Sequence, residues 1–255
     1  MITVNNIIKS FGDSVVLKGV STVFETGKTN LIIGQSGSGK TVLLKSLLGI
    51  HTPDSGTIDF DGRIYDTLTP DEKRALRTEI GMVFQGSALF DSMSVAQNVG
   101  FPLKMFTDKN QAEIDDRVNF VLKRVNLINA DEKLPSEISG GMQKRVAIAR
   151  AIVNNPKYLF CDEPNSGLDP NTSILIDNLI KEITEEYNIT TVINTHDMNS
   201  VMEIGENILF LKNGLEAWHG NKDEIFKTDN EAVVAFVYSS NLFKKVREAY
   251  LQTVK

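Results

Sequence analysis

Apolar and polar residues alternate along two stretches near the start of the chain, Ile2 to Ser10 and Val15 to Phe24. A period of two residues is typical of half-buried strands, so we predict an antiparallel pair here. A shorter run, Thr57 to Phe60, is followed by the turn residues Asp61-Gly62 and then by Arg63 to Tyr65. This spacing predicts a hairpin. The chain is therefore expected to begin with a small antiparallel β unit.

Further along, short and almost uninterrupted apolar runs have the length of strands buried on both faces. These predicted strands are Thr29 to Ile33, Ile80 to Phe84, Tyr158 to Cys161, Thr190 to Asn194 and Ile208 to Leu211. Helical patterns separate several of them, at Val42 to Leu48, after Thr69-Pro70-Asp71-Glu72 and at Asn171 to Tyr187. Strands that alternate with helices predict an α/β fold, whose parallel sheet is covered on both faces. Asn213-Gly214 predicts one more hairpin turn.

The middle of the chain has a different pattern. From about Phe90 to Asn155 the apolar spacing is helical, and Asn110 to Val125 has the spacing of an amphipathic helix. We therefore predict a core made of residues 1–89 and 156–220, with a helical subdomain of about residues 90–155 inserted between its halves. Residues 221–255 are expected to form a C-terminal helical tail, helical from Glu231 to Lys255.

Composition and charge exclude several classes of protein. The 255 residues are 41% hydrophobic and 24% charged, which is typical of a globular chain rather than a disordered one. The net charge of −6 argues against a nucleic-acid-binding protein, and a single cysteine excludes an internal disulfide framework. We find neither a secretory signal nor an apolar run long enough to span a bilayer. These observations predict a cytoplasmic protein without direct membrane insertion, which a partner would have to hold at any membrane.

One segment has the pattern of a phosphate-binding loop. Gly34, Gly39, Lys40 and Thr41 match G-x-x-x-x-G-K-[ST] between a predicted strand and a predicted helix. The glycines allow backbone N–H groups to surround a phosphate chain, and the helix N-terminus adds its positive dipole end. Lys40 is expected to reach the β- and γ-phosphates, and the Thr41 hydroxyl to bind Mg²⁺. The alternative, a Gly/Ser-rich loop that binds nothing, is disfavoured by the strand–loop–helix context.

An acidic pair follows the predicted strand Tyr158 to Cys161. Ligands of open α/β sheets bind at the carboxyl ends of strands, where Asp162 and Glu163 would project. Asp162 suits the shell of a Mg²⁺ ion, and Glu163 suits a base or a water-positioning group for attack on a γ-phosphate. A charged turn without function is the alternative, and the phosphate-binding loop upstream argues against it. Cys161 is most simply a small core residue.

Together with further segments in the same order, these motifs resemble the ATP-binding subunits of ABC transporters, over about Ile2 to Gly220. The further segments are Ile138-Ser-Gly-Gly-Met-Gln143 with the helix Lys144 to Ala151 (signature motif and helix), Gln85 (Q-loop), Ser166-Gly-Leu-Asp169 (D-loop), Thr195-His196-Asp197 (H-loop) and Phe11 (the aromatic that stacks on adenine). The joint match is far more specific than any single motif.

The resemblance implies a P-loop NTPase fold with a mixed central sheet, an N-terminal antiparallel β-subdomain and an inserted α-helical subdomain. It implies ATP and Mg²⁺ as cofactors. The implied ATP-binding residues are Phe11, Gly34, Gln35, Ser36, Gly37, Ser38, Gly39, Lys40, Thr41 and Val42 of one copy, with Ser139, Gly140 and Gly141 of the other. The implied metal ligands are Thr41, Gln85 and Asp162, and the implied catalytic residues are Glu163, His196, Lys40 and Gln85.

These roles imply how the chain works with partners. ATP would hold two ATPase subunits head to tail as a homodimer with two composite sites. Gln85 would contact the site and a membrane partner at once, which would couple ATP to transport. The implied partners are integral-membrane permease subunits, with a regulatory subunit as a further candidate. The implied location is peripheral, on the cytoplasmic face of the inner membrane.

A narrower resemblance concerns the cargo. Gly81 to Leu103 is very similar to the ATPase of the maintenance-of-lipid-asymmetry (Mla) phospholipid transporter, and Met142 stands where most ABC importers have Gln. An Mla-like lipid transporter is therefore our first hypothesis. An importer ATPase for amino acids or another small solute is the alternative. A soluble ABC ATPase of DNA repair or translation is disfavoured, because the chain has one cassette and no long heptad run.

Two surfaces are candidates for partner contacts. Gly86 to Phe101 carries several apolar residues that form either a docking surface or the core of the helical lobe, and the sequence favours neither. The apolar residues of Glu231 to Lys255 pack either within the subunit or on the second ATPase or regulatory subunit.

Overall fold

The computed structural model describes residues 1–238, which form ten strands and eight α-helices. The strands are β1 (Ile2–Phe11), β2 (Ser14–Phe24), β3 (Thr29–Ile33), β4 (Ser55–Phe60), β5 (Arg63–Ile64), β6 (Ile80–Val83), β7 (Tyr158–Asp162), β8 (Thr190–Asn194), β9 (Asn207–Lys212) and β10 (Leu215–Gly220). The helices are α1 (Lys40–Leu47), α2 (Pro70–Thr78), α3 (Val95–Phe106), α4 (Gln111–Arg124), α5 (Gly140–Ile152), α6 (Pro170–Glu186), α7 (Met198–Ile204) and α8 (Glu231–Val237).

The first sheet is antiparallel, with the strand order β2-β1-β4-β5. Its central strand β1 pairs with both β2 and β4, so that Ile2 lies opposite Phe24 on one side and Phe60 on the other. These apolar side chains are fully buried, and they form one core with α1 and one face of the second sheet. The predicted antiparallel unit at the start of the chain is confirmed.

The second sheet has six strands in the order β10-β9-β3-β8-β7-β6. All neighbouring strands in it are parallel except β10, which returns antiparallel to β9 through the Asn213-Gly214 turn. Successive residues of β3 point to opposite faces, as a period of two requires. Ile32 belongs to the core beneath the first sheet, whereas Leu31 and Ile33 pack in the core on the helical side. The sheet is therefore buried on both faces.

Residues 84–157 contain helices α3, α4 and α5 and no strand. The sequence sets where these helices begin. Ser94 and Asn110 cap α3 and α4 in capping boxes with Gln97 and Glu113, and the Ser139 hydroxyl caps α5. The inner faces of all three helices join the large core on the helical side of the mixed sheet. The mixed sheet, the antiparallel unit and the inserted helices confirm the predicted fold class, while the exact division into subdomains stays a prediction.

Several local predictions were wrong. Helix α1 begins at Lys40 rather than Val42, because the phosphate loop runs directly into the helix. Tyr65 turns into a 3₁₀ helix instead of continuing β5, and the seven-residue helix α7 was not predicted. Helix α8 begins at Glu231 as predicted and ends at Val237, and residues 221–230 are not helical. The remainder of the predicted tail, residues 239–255, lies outside the described residues.

No helix within residues 1–238 is both long enough and apolar enough to cross a bilayer.

Candidate functional site

A cleft of about 710 Å³ opens at the carboxyl ends of β3, β7 and β8. Of the predicted site residues, it is lined by Gly34, Gln35, Ser36, Gly37, Gly39, Lys40, Thr41, Val42, Gln85, Asp162, Glu163 and His196. Val16, Asn194 and Phe236 complete the lining. The parallel register explains the meeting point, because Ile32 and Asp162 both pair with Asn194 in the sheet. The chain segments that follow all three strands therefore leave the sheet at one edge.

The phosphate loop, residues 34–39, crosses the end of the cleft between β3 and α1. Gly34 lies so close to β9 that a Cβ there would be 2.3 Å from the carbonyl oxygen of Leu211. The Lys40 ammonium donates hydrogen bonds to the carbonyls of Gly34 and Gln35, at 2.8 and 3.1 Å. It therefore lies beneath the arch of the loop, where a phosphate chain bound by the loop N–H groups would meet it.

The electrostatics of the cleft centre on Lys40. Burial lowers the pKa of the Lys40 ammonium, and the carboxylates of Glu163 and Asp162 act in the opposite direction. The two acidic groups thus offset part of the cost of holding a cation in a buried position. An anionic ligand entering the cleft would meet this cation together with the positive end of α1.

Glu163 and His196 are in direct contact. Nδ1 of His196 lies 2.7 Å from Oε1 of Glu163. The Glu163 side chain is only 12% exposed and the His196 side chain is 67% exposed, so the histidine covers the carboxylate from the solvent side. Glu163 has a left-handed backbone with φ of 48°, and its N–H donates to the carbonyl of Asn194. The carboxylate is therefore fixed both through its backbone and through its partner.

Asn194 was missed by the sequence reasoning, which treated it only as the last residue of a strand. Its amide nitrogen donates to Oδ1 of Asp162 at 2.6 Å and to the Thr41 hydroxyl at 3.3 Å. It thus holds two of the predicted metal ligands next to each other. An asparagine at the end of a fully buried strand was the available signal, since a buried amide needs polar partners.

The residues present fit a Mg²⁺ ion that arrives with its nucleotide. Thr41 and Asp162 supply hard oxygen donors, and the Oδ1 atom of Asn194 is buried without a hydrogen-bond partner within residues 1–238. Residues 1–238 include no group of three or more His, Cys, Asp or Glu side chains placed to hold a metal. Mg²⁺ commonly binds through one or two protein ligands, several waters and substrate phosphates, which matches this sparse set.

Five predicted ATP-binding residues do not line the cleft. Ser38 is buried, and its hydroxyl has no partner within residues 1–238. Phe11 is 45% exposed, and its ring packs edge-to-face on His51 at 5.1 Å. Ser139, Gly140 and Gly141 lie at the start of α5, where a Cβ on Gly141 would contact Thr172 of α6. One copy of the chain therefore does not bring its own signature residues to its own phosphate loop.

Comparisons with known proteins agree with this geometry. A sequence profile of the ABC transporter family matches residues 17–166. The chain belongs to the ABC transporter family. It carries that family's cassette, an ATPase domain that uses ATP with Mg²⁺.

Among the curated relatives, the Mycobacterium tuberculosis protein named "Probable ribonucleotide transport ATP-binding protein mkl" is 37% identical over 236 residues. That alignment covers 92% of this chain and 66% of the relative, so the chain spans slightly less than two thirds of the mycobacterial protein. The Clostridium tetani methionine import ATP-binding protein MetN is 38% identical over 226 residues, which cover 89% of this chain and 71% of MetN.

Solved structures of other cassettes superpose closely on this one. CbiO1 of Clostridium perfringens, described as part of the ABC transporter complex CbiONQ, matches with a TM-score of 0.83 and 32% identity, covering 98% of each chain. The ATP-binding cassette MJ0796, described as a dimer bound to ADP and Pi, matches with a TM-score of 0.78 and 33% identity. That match covers 87% of this chain and 99% of MJ0796.

Gly214 supports the phosphate loop from the β9–β10 turn, and this support gives a test. Its N–H donates to the Ser38 carbonyl at 3.1 Å, and its carbonyl accepts from the Lys18 N–H at 2.9 Å. A Cβ at Gly214, where φ is +81°, would lie 2.0 Å from the Val16 carbonyl oxygen. We expect Gly214→Ala to displace the turn and weaken ATP binding about tenfold, a loss of about 1.4 kcal/mol.

The matched control is Gly62→Ala in the β4–β5 turn. Gly62 has a similar φ of +86°, but no atom lies within 4 Å of the added Cβ. Gly62→Ala therefore has a backbone cost comparable to that of Gly214→Ala but does not contact the phosphate loop. Titration with a fluorescent ATP analogue should separate the two variants. Equal affinities for both would show that the contact from Gly214 does not support the loop.

Proposed function

We propose that the chain is the ATP-hydrolysing subunit of an ABC transporter, which powers transport through separate membrane subunits. The observation that carries this proposal is the meeting of Lys40, Asp162, Glu163 and His196 in one cleft at the end of the mixed sheet. These residues come from three separate segments of the chain, at or after the ends of β3, β7 and β8.

In the proposed reaction, the loop N–H groups and Lys40 hold the β- and γ-phosphates. Glu163 orients the attacking water and accepts its proton, while His196 donates a hydrogen bond to the γ-phosphate. Water attacks the γ-phosphorus, the bond to the bridging oxygen breaks, and ADP and phosphate are released. Mg²⁺, when bound through Thr41, Asp162 and Gln85, would offset the negative charge on the phosphates. The 2.7 Å contact between His196 and Glu163 supports their action at one point.

A second copy of the chain would complete each site. Ser139 and Gly140 are exposed at the start of the 13-residue helix α5, whose N-terminus is suited to an anion. Because these residues do not line the cleft of their own copy, we propose that they face the ATP of the other copy. The dimeric structure reported for the MJ0796 cassette supports this arrangement. Phe11 is proposed to stack on adenine through its exposed ring.

The membrane subunits are proposed to dock on the apolar groove beside Gln85. This groove of about 290 Å³ includes the half-exposed rings of Phe84, Phe90 and Phe106 together with the partly buried Phe101 and Pro102 of α3. Phe90 and Phe101 pack on each other at 4.8 Å, so the region supplies both lobe packing and a free face. Docking there would hold the subunit on the cytoplasmic face of the inner membrane. The transporter complex reported for CbiO1 supports such an assembly.

For the cargo, we propose phospholipid, on the resemblance of Gly81 to Leu103 and of the Met142 signature to Mla ATPases. The second candidate is a small solute, and the names of the relatives favour it. MetN is named for methionine import and the mycobacterial relative for ribonucleotide transport. Both cargo hypotheses assign the same roles to the residues of the cleft, so the cleft does not distinguish them. We propose that the partner subunits determine the cargo.

The cargo is tested on the assembled transporter. The chain is purified with its membrane partners and reconstituted in liposomes, and the ATP-dependent movement of fluorescent phospholipid, labelled methionine or a labelled ribonucleotide is measured. Our proposal predicts ATP-dependent movement of phospholipid between membranes. ATP-dependent uptake of methionine or a ribonucleotide, with no lipid movement, would contradict it and favour the importer.

The catalytic assignment is tested with Glu163→Gln. The amide keeps the shape of the side chain but does not accept a proton, so we expect ATP binding to remain and hydrolysis to fall at least about a hundredfold. The variant should accumulate as an ATP-stable dimer, detected by size-exclusion chromatography. Lys40→Ala should instead lose ATP binding.

Glu182→Gln is the matched control, because Glu182 lies on the surface of α6 and its ion pair within residues 1–238 is with Arg124, at 3.3 Å. It should hydrolyse ATP at the wild-type rate. A Glu163→Gln variant that also retained the wild-type rate would overturn the role proposed for Glu163.

A further inference from the structure

Three polar side chains are buried together behind the cleft. Asn165, Asp177 and Ser200 are 5%, 2% and 1% exposed. The amide nitrogen of Asn165 donates to the Ser200 hydroxyl at 2.8 Å and to Oδ2 of Asp177 at 3.1 Å. The Ser200 hydroxyl also lowers the pKa of the Asp177 carboxyl, so the two groups lie close together. The three side chains therefore form one buried polar triad, in which Asn165 bonds to both of the others.

The triad joins the two segments that carry the reacting groups. Asn165 comes two residues after Glu163, in the turn that leaves β7. Ser200 lies in α7, which begins two residues after His196 and is capped by Asp197. Asp177 lies on α6, where it contacts Asn165 and lies close to Ser200. The Glu163–His196 contact and the bond from the Glu163 N–H to the Asn194 carbonyl connect these segments at the cleft, and the triad adds a buried connection behind it.

A purely stabilising role explains the triad poorly. Burial raises the pKa of Asp177 to about 6, although its hydrogen bonds from Ser200 and Asn165 act in the opposite direction. The nearby carboxylates of Asp197 and Glu203 raise this pKa further, and no Lys, Arg or His within residues 1–238 forms an ion pair with Asp177. Burying an unpaired carboxylate is costly, and apolar side chains of similar size would pack α6 against α7 at lower cost. Hydrogen bonds are directional, so the polar triad fixes one relative orientation of α6, α7 and the turn after β7.

We propose that Asn165, Asp177 and Ser200 are positioning residues for ATP hydrolysis, which fix the segment of Glu163 relative to that of His196. This inference rests on the catalytic roles proposed above. The triad does not line the cleft, so it acts on the rate of hydrolysis and not on nucleotide binding. A shift of about 1 Å in a reacting group is enough to slow a reaction about a hundredfold.

The geometry allows a swap of donor and acceptor. Asp177→Asn removes the negative charge and turns one of the two accepting oxygens that face Asn165 into a donor, and Asn165→Asp places two carboxylates in contact in a buried position. In the double variant Asn165→Asp/Asp177→Asn, the amide of residue 177 donates to the carboxylate of residue 165 and to the Ser200 hydroxyl. The hydrogen bond between residues 165 and 177 is then restored in reverse, with the net charge unchanged.

The experiment measures kcat for ATP, ATP affinity and melting temperature of the full chain, in its assembled complex, for the two single variants and the double variant. We expect each single variant to lower kcat about tenfold or more, with ATP affinity changed less than about threefold. The double variant should recover most of the wild-type kcat. Asp177→Asn keeps the test informative if Asn165→Asp does not fold.

Thr184→Val is the control for stability alone. Thr184 is a buried polar residue on the same helix, and its hydroxyl lies 2.6 Å from the Thr191 hydroxyl of β8, away from the cleft. This variant should lower the melting temperature without changing kcat. If the triad variants behave in the same way, the triad is structural and the inference is wrong.

The Glu163→Gln variant distinguishes a failure of the proposed function from a failure of the positioning inference. If it hydrolyses ATP normally, the proposed function fails at Glu163. If it stalls while both triad single variants keep the wild-type kcat, the proposed function stands and the positioning inference alone fails.

Discussion

The parallel register of β3, β7 and β8 is the constraint on which the whole site depends. Asn194 of β8 lies level with Ile32 of β3 on one side and with Asp162 of β7 on the other. The phosphate loop, the acidic pair and the histidine segment therefore leave the sheet side by side, although more than 150 residues separate the first from the last. The buried side chains on both faces keep this register fixed, because a slip of one residue would exchange the two faces of each strand. The packing of the strands thus determines which side chains meet in the cleft.

A second set of contacts joins the cleft to the helical lobe. The Lys144 ammonium donates to the Gln85 carbonyl, and Arg150 donates to the carbonyls of Ser87 and Ala88, each at 2.7 Å. Both cations lie on α5, the helix that begins at the signature residues. Burial lowers the pKa of both groups, because a cation loses hydration when it is held against backbone carbonyls in a protein interior. The segment at the cleft, the apolar groove and the proposed contact surface for a second copy are thereby tied to one helix.

The sequence was sufficient where a pattern has one physical meaning. Buried apolar runs and two-residue alternation predicted both sheets, and the spacing of Gly34, Gly39, Lys40 and Thr41 predicted the loop. It was insufficient where a role depends on neighbours that are distant along the chain. Asn194, Asn165, Asp177 and Ser200 have no motif of their own, and only the register and the packing of α6 on α7 bring their partners together. Helix α7 is too short for a helical period to be recognised in its sequence.

The central claim is that each site joins the phosphate loop of one copy to the signature residues of another. Two defective variants, Lys40→Ala and Ser139→Arg, test it by mixing, since each should be inactive alone. In a mixed dimer one site keeps both an intact loop and an intact signature segment. The account predicts that the mixture regains about a quarter of the wild-type ATPase rate, because half of the randomly paired dimers carry one intact site of two. A mixture as inactive as its components would contradict it, since a site built within one copy gains nothing from a partner.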